Sequence, residues 1–201
     1  MQQYHMDGDH ATPAARTPLH SRQISFRAWA RPDGLYDVEG TLLDTKEFLF
    51  ERPGMTSLAP GEAVHHMHVT VTVDEDLRIV AIASSMETAP LGECQQARAP
   101  LQRLVGRQLG RGWRRALDEA MGGTAGCTHL RELLFNLATA AIQAVPGYRD
   151  QQRRARGLPE ARGDGPPHFV DGCMTWRRDG PAVRRMFPQF AIHPATEDPQ
   201  S

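Results

Sequence analysis

A single apolar stripe between Leu130 and Val145 constrains the fold of this chain more than any other feature. Its members recur at the spacing that places side chains on one face of an α-helix. They are Leu130, Leu133, Leu134, Leu137, Ala138, Ala141, Ile142 and Val145. Thr128 is a suitable N-cap, and the pair Pro146–Gly147 is typical of a helix end. The stripe therefore predicts a long helix that covers an apolar layer built elsewhere in the chain.

Two hairpins upstream of that helix supply the apolar layer. From Ser21 to Ala30 the chain alternates between apolar and polar side chains, and after a Pro-Asp-Gly turn residues 35–42 return as a partner strand. Residues 67–73 alternate in the same way, and residues 77–84 return after an acidic turn. We therefore predict an α+β fold, in which an antiparallel four-stranded sheet of two hairpins carries helices packed on one face.

Composition divides the chain into five parts. With 201 residues, of which 40% are hydrophobic, the chain can bury one core. Both ends are polar, and a charged stretch rich in Pro and Gly follows the long helix. The predicted parts are a disordered tail at 1–19, a core domain at 20–147, an exposed linker at 148–167, a segment at 168–193 that returns to the core, and a frayed tail at 194–201.

Charge and hydropathy narrow the possible partners. The 23 basic and 24 acidic residues give a net charge of -1, so there is no overall attraction to nucleic acid, and the arginine-rich run at 103–115 is typical of a solvated helix face. No window approaches the roughly 18 apolar residues of a membrane span. Three cysteines, an odd number, are typical of a reducing compartment. We expect a cytoplasmic protein that binds neither nucleic acid nor membrane, and whose ligand is another protein or a small-molecule substrate.

Cysteine and histidine residues suggest a metal site. Three thiolates and one imidazole hold zinc tetrahedrally, or iron in a cluster. Cys127 and His129 flank the expected N-cap, and they can share an ion only if the helix begins between them. The predicted ligands are Cys94, Cys127, His129 and Cys173, with His65 as a spare. This interpretation makes the chain a small soluble zinc-binding or iron-binding protein.

Two other functions remain open. A cysteine at a helix start loses its proton easily, because unpaired N–H groups and the helix macrodipole favour the thiolate. Cys127 is therefore a candidate nucleophile in a small catabolic enzyme, and His129 could transfer protons there beside a carboxylate such as Glu132. Alternatively, the cysteines pack as small hydrophobic residues in a partner-binding module.

Other polar residues of the hairpins have simpler explanations. His66 and His68 share one face of the third strand, either as a metal-binding pair or as the solvent-facing side of a one-sided sheet. Asp44 could act as an acid or base, but carboxylates in hairpins are usually solvated. Lys46 lies two residues after Asp44, which indicates a surface ion pair.

Short motifs along the chain carry a family resemblance. They are Pro18–Arg22, Asp33–Gly40, Leu43–Lys46, His65–Met67, Gly126–Leu130 and Asp171–Cys173. With these motifs the chain resembles a bacterial family called domain of unknown function 2889, from about Pro18 to Phe187. This resemblance implies that the motifs belong to one folded unit, and it implies no reaction.

A looser resemblance is to iron–sulfur assembly scaffolds. In those proteins antiparallel strands lead to a cysteine loop, then to helices, and then to a cysteine that begins a final helix. Cys94 and Cys127 would match two of these positions. The scaffold places a histidine directly before its last cysteine, whereas His129 comes two residues after Cys127.

Overall fold

The computed structural model describes residues 14–159, 165–167 and 169–192. The chain divides into two compact units, Met1–Tyr148 and Arg149–Ser201. The tail predicted at 194–201 and most of the tail predicted at 1–19 lie outside the described residues. The five-part division of the chain therefore stays a prediction, including the return of 168–193 to the core.

Four antiparallel strands form one sheet in the first unit. They are β1 (His20–Ala30), β2 (Tyr36–Lys46), β3 (Ala63–Val73) and β4 (Ile79–Thr88), paired in the order of the chain. The predicted α+β class and four-stranded antiparallel sheet are confirmed. β1 begins within one residue of the start predicted at Ser21. β2 ends later than its apolar alternation suggested, because residues 43–46 continue the pairing with mostly polar side chains.

One face of this sheet is buried beneath helices. On β2 the residues with the least exposure alternate, because successive side chains point to opposite faces. They are Val38, Gly40, Leu42 and Asp44. On β3, Met67, Val69, Val71 and Val73 are likewise buried. A carboxylate at the end of β2 therefore shares the face that holds the hydrophobic core.

Two helices of the first unit cover this face. They are α1 (Trp113–Met121) and α2 (Thr128–Ala155), and a 3₁₀ segment (Gly92–Leu104) precedes them. The apolar stripe of α2 is buried as predicted, except that Ile142 is only partly buried. The indole Nε1 of Trp113 donates to the Leu134 carbonyl at 3.0 Å, which ties α1 to α2.

The predicted end of the long helix at Pro146–Gly147 is wrong. The helix continues through both residues to Ala155. A proline inside a helix removes one backbone hydrogen bond and crowds the preceding turn, which bends a helix more often than it must end it, and here the helical backbone continues on both sides of Pro146. Within the described residues, no helix is both long enough and apolar enough to cross a bilayer.

A glycine on β2 allows α2 to approach the sheet closely. A Cβ atom at Gly40 would lie 3.3 Å from Cδ1 of Leu133 and 3.0 Å from Cε1 of Phe26. Leu133 is fully buried in α2, so there is little room for it to move. The first turns of α2 are thereby held directly above β2.

The second unit contains a short helix, α3 (Pro181–Met186), and an aromatic cluster. The ring centroids of Phe169 and Trp176 are 4.7 Å apart, and those of Trp176 and Phe187 are 6.0 Å apart. Cys173 is exposed in this unit.

Candidate metal centre

Three neighbouring strands align three charged or polar side chains. Arg22 on β1 is paired with Asp44 on β2, and Asp44 is paired with His65 on β3. Directly paired residues of adjacent strands have side chains on the same face and within contact distance. The Asp44 carboxylate accepts hydrogen bonds from Arg22 Nε at 2.7 Å and from Arg22 Nη2 at 2.8 Å. Nδ1 of His65 lies 3.1 Å from Oδ2 of Asp44.

The first turn of α2 adds a second histidine to this group. Nε2 of His129 lies 3.9 Å from Oδ2 of Asp44. The rings of His65 and His129 face each other with their centroids 3.9 Å apart. One ligand atom from each of Asp44, His65 and His129 lies within 4.8 Å of the others. We call these three residues the Asp44 centre.

Two further polar side chains lie at the edge of the Asp44 centre. His20 Nε2 is 3.3 Å from Oδ1 of Asp44. Glu132 lies about one helical turn after His129, and its Oε2 is 3.4 Å from Nη1 of Arg22. Arg22 therefore connects the buried carboxylate of Asp44 to the exposed carboxylate of Glu132.

The start of α2 differs by one residue from the sequence prediction. The Arg131 amide donates to the Cys127 carbonyl at 3.0 Å, so Cys127 rather than Thr128 occupies the N-cap position. Because Cys127 precedes the helix, its side chain does not follow the helical spacing, and its Sγ lies 3.8 Å from Nδ1 of His129. Cys127 and His129 are thus in contact, while a metal ion shared between them stays a prediction.

The structure does not show the predicted set of three cysteines and one histidine. In the part of the chain that the structure describes, the cluster able to hold a metal contains one carboxylate, two imidazoles and no cysteine. His65 and His129 come together, as the ligand prediction requires. Cys94 is partly buried against the core of the first unit, and Cys173 is exposed in the second.

Sequence reasoning missed the role of Asp44. We expected a solvated carboxylate paired with Lys46, but Asp44 is only 2% exposed and pairs with Arg22. Lys46 Nζ instead lies 5.6 Å from the centre of the Phe50 ring. Asp44 continues the alternation of Val38 and Leu42 on β2, and that period is the signal that could have placed it on the buried face.

His66 and His68 do not belong to the Asp44 centre. Nδ1 of His66 is 2.7 Å from Oε2 of Glu87. His68 contacts the hydroxyl oxygens of Thr41 and Thr70 at 3.1 and 3.3 Å. These contacts support the interpretation that the two histidines lie on the polar face of a one-sided sheet.

A family model described as "Protein of unknown function (DUF2889)" matches residues 20–143, more than half of the chain. The chain belongs to the DUF2889 family. The match covers the four strands and all three residues of the Asp44 centre. Neither a search of curated proteins nor a search of solved structures found a match. The resemblance to iron–sulfur assembly scaffolds has no support from these comparisons.

Charge and burial set the protonation of the Asp44 centre in this DUF2889 protein. Burial alone would raise the pKa of the Asp44 carboxyl, but hydrogen bonds and charge from Arg22, with the nearby histidines, hold that pKa below its usual range. Burial lowers the pKa of His65, and the proximity of His129 lowers it further. Burial and the charge of Arg22 lower the pKa of His129. The centre at neutral pH therefore has an ionised carboxylate and two neutral imidazoles.

These shifts predict how the stability of the metal-free DUF2889 protein depends on pH. The folded-state pKa values of His65 and His129 are depressed, so the unfolded chain takes up protons first. The free energy of unfolding should therefore decrease as the pH falls below about 6.5. The lowered pKa of Asp44 adds a separate loss as the pH falls below about 3.9.

Urea unfolding in EDTA at a series of pH values measures this effect. The double variant His65→Gln, His129→Gln should lose most of the dependence between pH 7 and 5. If the free energy of unfolding falls equally with pH in the variant and in the wild-type protein, the assignment of this dependence to the two histidines is contradicted.

Proposed function

We propose that this protein binds one divalent transition-metal ion, zinc or iron, through Asp44, His65 and His129. The observation that carries the proposal is the convergence of their ligand atoms within 4.8 Å, from β2, β3 and α2. Imidazole and carboxylate ligands suit both metals, and two histidines with one carboxylate are a recurring set for non-haem iron and for catalytic zinc.

Protonation and burial favour the ligand role. A metal binds imidazole only through a deprotonated nitrogen, and the lowered pKa values of His65 and His129 keep both rings neutral at pH 7. Asp44 is ionised under the same conditions. Metal binding at this centre therefore requires little proton release.

Arg22 modifies the affinity of the centre for a cation. Its guanidinium occupies both oxygens of Asp44, at 2.7 and 2.8 Å, so an ion on Oδ2 would displace the Nη2 contact and leave the one from Nε to Oδ1. The remaining contact would orient the carboxylate as an outer-shell partner does. The positive charge of Arg22 opposes metal binding, and Glu132 offsets part of that charge from 3.4 Å.

Three protein ligands are typical of catalytic rather than structural metal sites. A structural zinc site is usually closed by four protein ligands, whereas a catalytic site leaves a position for water or substrate. A bound ion would polarise a substrate oxygen or lower the pKa of a bound water. His129 is 28% exposed and His65 13% exposed, so the approach to the centre is on the His129 side.

Titration of metal-stripped, untagged protein with Co²⁺ tests this proposal. We expect one equivalent to bind with the visible absorption of a cobalt–imidazole site, and elemental analysis of protein as purified to find zinc or iron. His65→Ala should abolish the absorption. His66→Ala is the matched control, because it removes a neighbouring imidazole that contacts Glu87 on the opposite face. Wild-type protein that binds no metal, or His65→Ala protein that binds as wild type does, would refute the proposal.

A second candidate function is metal-free catalysis by Cys127, with His129 as its base. The Cys127 sulfur is 3.8 Å from Nδ1 of His129, and Nε2 of the same ring is 3.9 Å from Oδ2 of Asp44. This order of thiol, imidazole and carboxylate is that of an activated nucleophile, and such distances often shorten when substrate binds. Glu132 contacts Arg22 in this structure, so Asp44 is the better partner for His129. Metal-free protein in which Cys127 is alkylated faster than Cys94 would favour this candidate.

A further inference from the structure

A groove of about 240 Å³ lies between α1 and α2. Its lining residues are Arg114, Leu117, Arg131, Glu132 and Phe135. Glu132 lines the groove and also contacts Arg22, the partner of Asp44, at 3.4 Å. His129 and Glu132 are three residues apart and therefore lie on the same side of α2. Glu132 and Arg22 therefore form a chain of contacts from the groove to Asp44.

The groove contains one positive charge that lacks a carboxylate partner. Arg131 is neutralised by Asp118, which accepts from its Nε at 2.9 Å. Glu132 is offset by Arg22. Within residues 14–159, 165–167 and 169–192, Arg114 makes no ion pair, and its guanidinium carbon lies 4.7 Å from the centre of the Phe135 ring. This cation–π contact holds the Arg114 guanidinium at the groove, although Arg114 as a whole is exposed.

The groove also contains exposed aromatic surface. Phe135 is 38% exposed although it lies on the α2 helix beside a buried stripe. Leu117 is 1% exposed and forms an apolar wall. The volume is below the usual 300–1,000 Å³ of ligand sites, so only a small molecule would be enclosed.

We propose that this groove binds a small aromatic monocarboxylate. The carboxylate would meet the planar guanidinium of Arg114, which suits two parallel hydrogen bonds, and the ring would lie against Phe135 and Leu117. One charge fits better than two, because Glu132 in the same wall repels a dianion. The groove is the substrate site of the Asp44 centre, and this second part rests on the proposed metal function.

Benzoate is the simplest probe for the groove, with benzamide as its neutral counterpart. Calorimetric titration of metal-stripped, full-length protein should show saturable binding of benzoate and much weaker binding of benzamide. Arg114→Gln should weaken benzoate binding about tenfold or more, because a charge-assisted hydrogen bond is lost. Arg115→Gln is the matched control and should bind as wild type does, since Arg115 is 86% exposed and pairs with Glu119. Circular dichroism confirms that both variants are folded.

Equal binding of benzoate and benzamide, or unchanged benzoate binding by Arg114→Gln, would overturn the proposed anion site. The substrate role of the groove is tested separately, through the visible absorption of the Co²⁺ protein. Benzoate should change this absorption in wild type and fail to do so in Arg114→Gln. Benzoate binding that depends on Arg114 but leaves the visible absorption of the Co²⁺ protein unchanged would overturn the substrate role of the groove. Protein that binds benzoate but no Co²⁺ would refute the metal proposal and the substrate role together, and would leave the anion site supported.

Discussion

Replacing Asp44 by asparagine should lower the affinity for Co²⁺ by more than about 100-fold and the free energy of unfolding by about 2 kcal/mol. Loss of an outer-shell partner alone costs 10–100-fold in metal affinity, and a direct ligand should cost more. The amide retains the shape of the side chain but loses the charge that Arg22, His65 and His20 all approach. Because Arg22 is one-third exposed, water can compensate part of the lost ion pair, so the expected destabilisation is below that of a fully buried pair.

The matched control is Asp37→Asn on the same strand. Asp37 accepts a hydrogen bond from Thr72 Oγ1 at 2.7 Å and pairs with Arg31, so it too is a partnered carboxylate. It lies outside the Asp44 centre, and its substitution should leave Co²⁺ affinity unchanged. Isothermal titration with Co²⁺ and urea unfolding of both variants measure the two effects. Retained metal affinity in Asp44→Asn, or equal loss in Asp37→Asn, would contradict the assignment of Asp44 as a ligand.

The sheet and the long helix could be predicted because their signals are local. The alternation around Ile24 and Val69 and the stripe from Leu130 each lie within one element, so a short window of sequence contains them. The prediction that Cys127 and His129 belong to one site has the same local basis, because the two residues are only two positions apart. The continuation of the helix beyond Pro146 to Ala155 could not be predicted, because a Pro-Gly pair alone does not distinguish a helix that ends from one that continues.

The candidate site could be predicted only in part because its residues meet through strand register. Asp44 and His65 are 21 residues apart, and they become neighbours only when β2 and β3 pair in one particular register. A shift of one residue would send Asp44 to the other face. The polar end of β2 has no apolar alternation of its own, so no local pattern extended that strand from Leu42 through Asp44. Cysteine chemistry was the more visible signal, and it pointed to other ligands.

Replacing Gly126 by alanine should lower the free energy of unfolding by about 3 kcal/mol and weaken metal binding as well. A Cβ atom at this position would lie 2.5 Å from Cβ and 2.7 Å from the carbonyl oxygen of Met121. Met121 is 1% exposed at the end of α1, so neither its side chain nor its backbone can move without disturbing the core. The backbone of Gly126 is extended, with φ of -159°, so the cost is steric and does not come from a left-handed conformation.

Relief of that clash must move the chain that leads into Cys127 and the first turn of α2, which carries His129. Metal affinity and thiol reactivity should therefore change together with stability, although Gly126 contacts neither the metal centre nor the groove. Gly147→Ala is the control within α2, since a Cβ there meets no atom within 4 Å. Alanine in a helix interior is favoured over glycine by about 0.5–1 kcal/mol, so this variant should be slightly more stable than wild type. Urea unfolding of both variants measures the change in stability, and Co²⁺ titration measures the change in metal affinity. Gly126→Ala protein as stable as wild type would show that Met121 does not fix the start of α2, and the placement of His129 would then need another cause.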